Sequence, residues 1–121
     1  MSVRLRRAYV DPGPDDGYRV LVDRIWPRGR SREALCLDEW ARELGPSDEL
    51  RRWFGHEPAR WEPFRQRYLA ELSGAAPSRM LDALAERARL GTLTLVYGAR
   101  DVRHNQARVI AEEVERRLRS Q

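Results

Sequence analysis

The residues whose types could do chemistry gather in two short segments, each directly after an apolar run. The first is 23–29, with the sequence DRIWPRG, and the second is 97–105, with the sequence YGARDVRHN. In open parallel sheets, ligands bind beyond the carboxyl ends of the strands, where loops and helix N-termini converge. If the two preceding strands are neighbours, the segments line one crevice and bring together carboxylates, arginines, a histidine and an amide.

Asp23 begins the first segment. It closes an apolar run, where an ionised carboxylate needs a partner. One interpretation makes it a general base or metal ligand beside Arg24 and Arg28, whose planar guanidinium groups would grip an anion. The other is a structural ion pair between Asp23 and one of these arginines at the strand end. The sequence leaves both interpretations open.

The second segment adds Asp101 and His104. Asp101 precedes the last predicted helix where an N-cap is expected, and it is also a candidate acid/base carboxylate. His104 is either a hydrogen-bonded core histidine or a base, since a positive helix end depresses its proton affinity. Asn105 and Gln106 suit the reading of a base edge. The catalytic candidates are therefore Asp23, Asp101 and His104.

A second set of residues consists of candidates for ligand binding. They are Arg24, Trp26, Arg28, His56, Tyr97 and Asn105. His56 either caps a turn or assists a ligand, and Trp53, Phe54 and Trp61 near it form either core or flat surfaces for stacking. Two histidines and scattered carboxylates lack tight ligand spacing, so the sequence indicates no metal site and identifies no cofactor.

Hydrophobic patterns predict the elements that position these residues. The segment 18–26 contains an apolar run typical of a central strand, 92–97 is a second strand, and 3–10 alternates as an edge strand does. Apolar stripes predict five helices, over about 37–44, 48–54, 61–72, 78–90 and 107–118. Strands that alternate with helices predict a compact layered α/β fold with a small, mostly parallel sheet. At 121 residues we expect one domain.

The basic residues have an unusual composition and distribution. All 23 are arginines, which excludes P-loop chemistry and lysine Schiff bases. Residues 1–32 hold eight arginines against four aspartates, whereas residues 33–121 hold fifteen arginines against fifteen acids. The first quarter therefore carries the net charge of +4, and it forms either an anion-facing patch or a solvated face.

Other features indicate the cellular compartment. The single cysteine, Cys36, excludes an internal disulfide. No apolar run is long enough to span a membrane, and the N-terminus lacks the apolar region of a signal peptide. We therefore expect a cytoplasmic protein.

Three ordered motifs carry a family resemblance. They are DRIWPRG at 23–29, the segment from LDEW to LAEL at 37–72, and TLTLVYGARDVRHNQA at 92–107. Together they resemble the YeaO-like family, domain of unknown function 488, over roughly 3–118. The resemblance implies a small bacterial and archaeal α/β domain without an established activity, and its motifs contain all the candidate site residues. Gly98 stands where alanine is common in such proteins.

Three functions remain open from the sequence. The first is a small enzyme or binding domain that binds or processes a nucleotide or other phosphorylated ligand, with Arg24 and Arg28 on the anion. The second is a nucleic-acid-binding or regulatory module that uses the basic first quarter, with salt-sensitive affinity. The third is an interaction protein or homodimer without catalysis. Convergence of at least two arginines in a pocket with His104 would favour the first.

Overall fold

A four-stranded parallel sheet lies at the centre of the computed structural model, which describes residues 2–120. Its strands are β1 (Ser2–Arg7), β2 (Tyr18–Leu21), β3 (Glu39–Trp40) and β4 (Thr92–Tyr97), in the order β1-β4-β2-β3. Since β2 and β4 are adjacent and parallel, the segments that follow them emerge side by side. The predicted compact α/β fold is confirmed.

Five helices surround this sheet. They are α1 (Arg32–Leu35), α2 (Asp48–Phe54), α3 (Trp61–Leu72), α4 (Ala75–Leu90) and α5 (Gln106–Arg119). The main core lies between α2–α5 and one face of the sheet, whereas α1 covers part of the other face through Leu35. Val20 and Leu21 belong to these two different cores because successive strand residues point to opposite faces. Across residues 2–120, no helix combines the length and apolarity that crossing a membrane requires.

The helix predicted over 37–44 is wrong. Glu39–Trp40 instead pairs with β2 as the edge strand β3, and a 3-10 turn follows at Arg42–Leu44. The backbone N–H of Ala41 donates to the Leu21 carbonyl at 2.9 Å. The apolar stripe misled the prediction because eight residues at mixed spacing fit a strand followed by a turn as well as a helix.

Other predicted bounds differ at the ends of the elements. β2 ends at Leu21 rather than at residue 26, although the Val22 N–H still donates to the Val96 carbonyl at 3.0 Å. α4 begins at Ala75, three residues before the predicted start. Pro63 lies in the first turn of α3, where its missing N–H leaves no helical hydrogen bond unmade. β4 has the bounds that its sequence predicts.

The second face of the sheet holds a buried ion pair. Arg19 lies 2.6 Å from Asp16, and both side chains are almost fully buried. The Thr94 hydroxyl donates to the Asp16 carbonyl at 2.6 Å, which ties the loop after β1 to β4. Arg4 and Arg6 lie within 4 Å of the same carboxylate. Three arginines of the basic first quarter therefore surround one aspartate.

Candidate functional site

A cavity of about 320 Å³ opens at the carboxyl ends of β2 and β4. The segments after these two strands form two of its walls, and residues of α2 and α3 form part of the rest. Seven of the nine candidate residues line it, namely Asp23, Arg24, Trp26, Arg28, His56, His104 and Asn105. Neighbouring strands thus bring the two polar segments together as the sequence predicts. Asp101 and Tyr97 lie outside the lining.

Asp23 is held by amide groups, not by arginines. Its Oδ2 accepts from the Gly98 N–H at 2.8 Å, and its Oδ1 accepts from the side-chain amide of Gln106. The Trp40 indole donates to the Asp23 carbonyl oxygen at 2.7 Å. Among residues 2–120 no arginine nitrogen lies within 4 Å of this carboxylate, so of the two interpretations the structural ion pair is wrong. Burial raises the pKa of Asp23 to about 6, against the opposing effect of the Gly98 hydrogen bond.

Arg24 is engaged with the backbone. Its Nε donates to the Pro46 carbonyl at 3.0 Å and its Nη2 to the Gly45 carbonyl at 2.8 Å. A Cβ at Gly45 would lie 2.8 Å from the backbone nitrogen of Arg24, so the absence of a side chain at Gly45 allows the two backbones to approach this closely. Arg24 therefore uses two of its three guanidinium nitrogens on backbone carbonyls, and its contact with an anion stays a prediction. Of the three guanidinium nitrogens of Arg24, Nη1 is the one that has no acceptor among residues 2–120.

Arg28 and Arg51 supply the other guanidinium groups of the cavity lining. Arg28 is exposed, and its carbonyl accepts from the Tyr9 hydroxyl at 2.9 Å. The Nε of Arg51 is buried without a hydrogen-bond partner among residues 2–120, and its Nη2 lies 3.5 Å from Asp48. Sequence reasoning missed Arg51 because an Asp and an Arg three positions apart on a helix are typical of a solvated surface pair.

Asp101 organises the turn before α5, not the helix itself. Its Oδ1 accepts from the backbone N–H groups of Arg103 and His104 at 2.8 and 3.1 Å. Its Oδ2 lies 2.8 Å from the His104 Nδ1, and this hydrogen bond is the main cause that lowers the pKa of Asp101. The N-cap of α5 is Asn105, whose Oδ1 accepts from the Arg108 N–H at 3.3 Å. The predicted N-cap at Asp101 is therefore wrong, because a turn intervenes between β4 and α5.

Asn105 is fully engaged in this cap. Its side-chain amide also donates to the Asp101 carbonyl at 2.9 Å, and the residue is only 1% exposed. Both polar ends of its side chain are thus used inside the protein. Asn105 positions the loop, whereas Gln106 beside it reaches the Asp23 carboxylate.

His104 lies at the cavity with one ring nitrogen already bound. Because Nδ1 contacts Asp101, the Nε2 atom is the one that can meet a ligand. The edge of the ring packs against Trp61, with the ring centroids 5.4 Å apart. His104 is partly exposed and lines a cavity, which is more than a core histidine does.

The aromatic side chains near His56 belong mainly to the core. Phe54 and Phe64 stack with centroids 4.4 Å apart, and both are buried. Trp53 is not part of the cavity lining, and the guanidinium carbon of Arg67 lies 4.1 Å from its ring centroid. The core interpretation of the predicted set is confirmed for Phe54, and the half-buried Trp53 and Trp61 pack against the same core.

His56 adopts an unusual backbone conformation. Its φ is 57° and that of the preceding Gly55 is 52°, so two successive residues are left-handed. The left-handed conformation is strained for a histidine because of its Cβ, whereas glycine adopts it without that strain. The turn places His56 at the cavity, 6.3 Å from the Phe54 ring.

Trp26 and Tyr97 have structural partners. The Trp26 indole donates to the Arg30 carbonyl at 2.6 Å, and its ring meets Trp40 edge-on at 5.2 Å. Tyr97 is 3% exposed in the main core, and burial raises the pKa of its hydroxyl. Trp26 therefore lines the cavity, whereas Tyr97 is buried in the main core at the end of β4. Within residues 2–120, no three His, Cys, Asp or Glu side chains are placed to hold a metal ion.

The comparisons with known proteins identify the family. Residues 2–121 match the family described as the inactive DUF488-N3 subclade. This chain belongs to the YeaO-like DUF488 family. Its relatives include the uncharacterized protein YeaO of Escherichia coli K12, 43% identical over 112 residues, which are 93% of this chain and 96% of YeaO.

A second relative of this DUF488 chain comes from Mycobacterium tuberculosis H37Rv. The uncharacterized protein Rv3073c is 41% identical over 110 residues, which are 91% of each chain. No solved structure matches the chain. The resemblance seen in the three motifs is therefore confirmed over nearly the whole sequence.

Proposed function

We propose that the cavity at the ends of β2 and β4 binds a nucleotide or a similar phosphorylated compound, without catalysing its conversion. One observation carries the proposal: a single cavity is lined by guanidinium groups, by a carboxylate hydrogen-bonded to a side-chain amide, and by aromatic side chains. These are the groups that contact phosphate, the polar edge of a base and its flat face respectively.

The charge of the cavity favours an anion. Three arginines, Arg24, Arg28 and Arg51, line it against one aspartate, Asp23. Arg24 leaves its Nη1 without an acceptor among residues 2–120, and Arg28 is exposed with no carboxylate of those residues within 4 Å. Both groups suit a phosphate, since guanidinium and phosphate form short charge-assisted hydrogen bonds.

Part of the cavity lining favours a polar ring. The Asp23 carboxylate and the Gln106 amide are hydrogen-bonded to each other, and both line the cavity together with His104. A cavity of about 320 Å³ is at the small end of the usual range for small-molecule sites, so it admits about one nucleotide. The proposed ligand is thus a single phosphorylated unit or one unit of a larger molecule.

The absence of catalysis is proposed from the family description and from the site. The subclade is described as inactive. Asp101 is committed to backbone N–H groups and to His104, and Asp23 is held by two amide donors. We therefore assign the three catalytic candidates Asp23, Asp101 and His104 to recognition and positioning.

Thermal stabilisation by a ligand panel tests the proposal. Nucleoside mono-, di- and triphosphates should raise the melting temperature, whereas the matching nucleosides should do so less. Arg28→Gln and Arg51→Gln should each weaken the effect. Arg52→Gln is the matched control, because Arg52 is an exposed neighbour on α2 that does not line the cavity.

Two results would count against the proposal. If no phosphorylated compound stabilises the protein, or if Arg51→Gln and Arg28→Gln behave like Arg52→Gln, the cavity is not an anion site. Chromatography of the ligand after prolonged incubation tests the second half of the proposal. Unchanged ligand is expected, and any turnover that Asp23→Asn abolishes would show that the domain is an enzyme.

The alternative of a nucleic-acid surface in the first quarter receives less support. Arg19 is buried, and Arg7 and Arg30 each donate to a backbone carbonyl. Arg4 and Arg6 surround Asp16. The excess charge of that quarter is therefore dispersed through the fold rather than spread over one open face.

A further inference from the structure

Exposed apolar side chains concentrate around the mouth of the cavity. The residues 2–120 contain five large apolar side chains that are exposed, and four of them follow the carboxyl ends of strands. They are Tyr9 and Val10 after β1, Ile25 after β2, and Val102 after β4. Tyr9 and Ile25 also line the cavity. The fifth, Leu90, is the last residue of α4 and comes just before β4, near the amino ends of the strands.

The same loops carry arginines without acidic partners. Arg28, Arg100 and Arg103 are exposed, and none of them lies within 4 Å of a carboxylate in the described part of the chain. In the loops after β2 and β4 the carboxylates are already engaged, Asp101 with His104 and Asp23 with Gln106, and in the loop after β1 Asp11 lies 3.8 Å from Arg30. The mouth is therefore apolar and positively charged at once.

A free nucleotide would use the cavity but would leave this rim without a role. Arg100 and Arg103 are outside the cavity lining, and Val10 and Val102 are too. A second copy of the chain fits the rim poorly, because a two-fold contact would place two positively charged rims against each other. A polymer with repeated phosphates and flat bases matches both properties of the rim.

We infer that the ligand is single-stranded nucleic acid, with one nucleotide in the cavity and its neighbours on the rim. This inference rests on the proposed function, since it names the molecule that presents the nucleotide. Phosphates beside the bound unit contact Arg28, Arg100 and Arg103, and adjacent bases pack on Tyr9 and Ile25. A paired base cannot enter the cavity, so the strand must be single there.

Fluorescence anisotropy with labelled eight-residue oligonucleotides tests this inference. DNA and RNA strands and a matched duplex are titrated at several salt concentrations, and unlabelled mononucleotides serve as competitors. Single strands should bind more tightly than either mononucleotide or duplex. The double variant Arg100→Gln/Arg103→Gln should flatten the slope of log affinity against log salt by about 1.4, since each phosphate contact on a single strand contributes about 0.7.

Matched variants separate the rim from general charge. Arg87→Gln/Arg119→Gln also removes two positive charges, but from exposed positions late in α4 and α5, and it should leave the salt slope unchanged. Val102→Ser should weaken oligonucleotide binding with little effect on mononucleotides, because Val102 is exposed on the rim outside the cavity lining. The Arg100/Arg103 variant should also keep its mononucleotide affinity, because neither side chain lines the cavity.

The outcomes distinguish the inference from the proposed function. If mononucleotides bind and oligonucleotides bind no more tightly, the inference is wrong and the proposed function stands. If neither binds, both are wrong. Equal binding of duplex, or an equal loss in the Arg87/Arg119 control, would overturn the inference by showing that the attraction is nonspecific.

Discussion

The carboxylate of Asp23 accepts a hydrogen bond from the backbone N–H of Gly98, with 2.8 Å between Oδ2 and the nitrogen. The two residues are 75 positions apart in the chain and follow the central strands β2 and β4. The bond ties the two strand ends together at the cavity. It also keeps the carboxylate in a partly desolvated place, where its pKa rises to about 6.

Asp23→Asn should stabilise the protein at neutral pH. Because the pKa of Asp23 is about 6 in the folded state against an ordinary value of 3.8 in the unfolded chain, the folded protein binds more protons between these values. The free energy of unfolding therefore falls as the pH rises from about 4 to about 6 and stays lower above that. Removing the charge should recover up to about 3 kcal/mol at pH 7, since one pKa unit corresponds to about 1.4 kcal/mol. Urea unfolding at several pH values measures this.

The control for this variant is its behaviour in acid. Below about pH 4 the carboxyl is neutral in both states, so Asp23→Asn and the wild type should differ little there. Asparagine keeps an oxygen for the Gly98 N–H, and the Gln106 amide can rotate to accept from it. A difference that is constant from pH 3 to pH 8 would contradict the raised pKa.

Gly98→Ala should displace the Asp23 carboxylate. A Cβ at position 98 would lie 2.9 Å from the Asp23 Oδ2, which is too close for the present position of the side chain. The carboxylate must rotate away and become more hydrated, so its pKa should move from about 6 toward its ordinary value. Titration of the Asp23 carboxyl carbon by NMR measures the shift.

Gly91→Ala is the matched glycine variant. Gly91 has an extended backbone, and a Cβ there would meet no atom within 4 Å. It should leave the pKa of Asp23 unchanged. Equal pKa values in the wild type and Gly98→Ala would mean that the strand ends relax apart and that the carboxylate keeps its environment.

The sequence predicted the position of the site better than the contacts within it. The site follows from two apolar strands that end in polar segments, and parallel neighbours necessarily bring such ends together. The contacts of Asp23 did not follow, because the chemically obvious partners Arg24 and Arg28 lie next to it in sequence. The actual partners, Gly98 and Gln106, come from the neighbouring strand and helix, and no local pattern marks a backbone N–H as a partner.

The fold shows the same difference between local and distant information. β4 and α3 have the predicted bounds because six or twelve consecutive residues carry one clear pattern. β3 has only two residues, and their conformation depends on pairing with β2, from which they are 19 positions away. An isolated helix over 37–44 would also be too short to be stable without tertiary contacts.

Asn105→Ala should destabilise the protein through the end of α5. The side chain caps the helix by accepting from the Arg108 N–H, and it ties down the turn by donating to the Asp101 carbonyl. Loss of an N-cap costs about 1–2 kcal/mol, and loss of the part-buried hydrogen bond to the Asp101 carbonyl adds to this. Thermal and urea unfolding measure the loss.

A conservative variant and a neighbouring variant complete this test. Asn105→Asp keeps the accepting oxygen but not the donor, so it should recover part of the stability. Asp101→Ala should cost less than Asn105→Ala, because Asp101 is a more exposed residue that serves a turn. The reverse order would mean that Asp101 carries the helix end after all.

The buried pair of Asp16 and Arg19 should dominate stability on the other face of the sheet. Burial acts to raise the pKa of Asp16, but the hydrogen bonds from Gly13 and Arg19 outweigh it, so the pKa is lowered. The stabilisation from this lowered pKa is present above about pH 4 and is lost as the pH falls through the folded value. Asp16→Asn should cost about 3–5 kcal/mol, because it leaves a buried guanidinium uncompensated.

The double variant Asp16→Asn/Arg19→Met should cost less than the single one, and Asp15→Asn, an exposed neighbour, should cost almost nothing. Urea unfolding at pH 7 ranks the three variants, and a double variant as unstable as Asp16→Asn would show that the loop after β1, not the ion pair, is what Asp16 maintains.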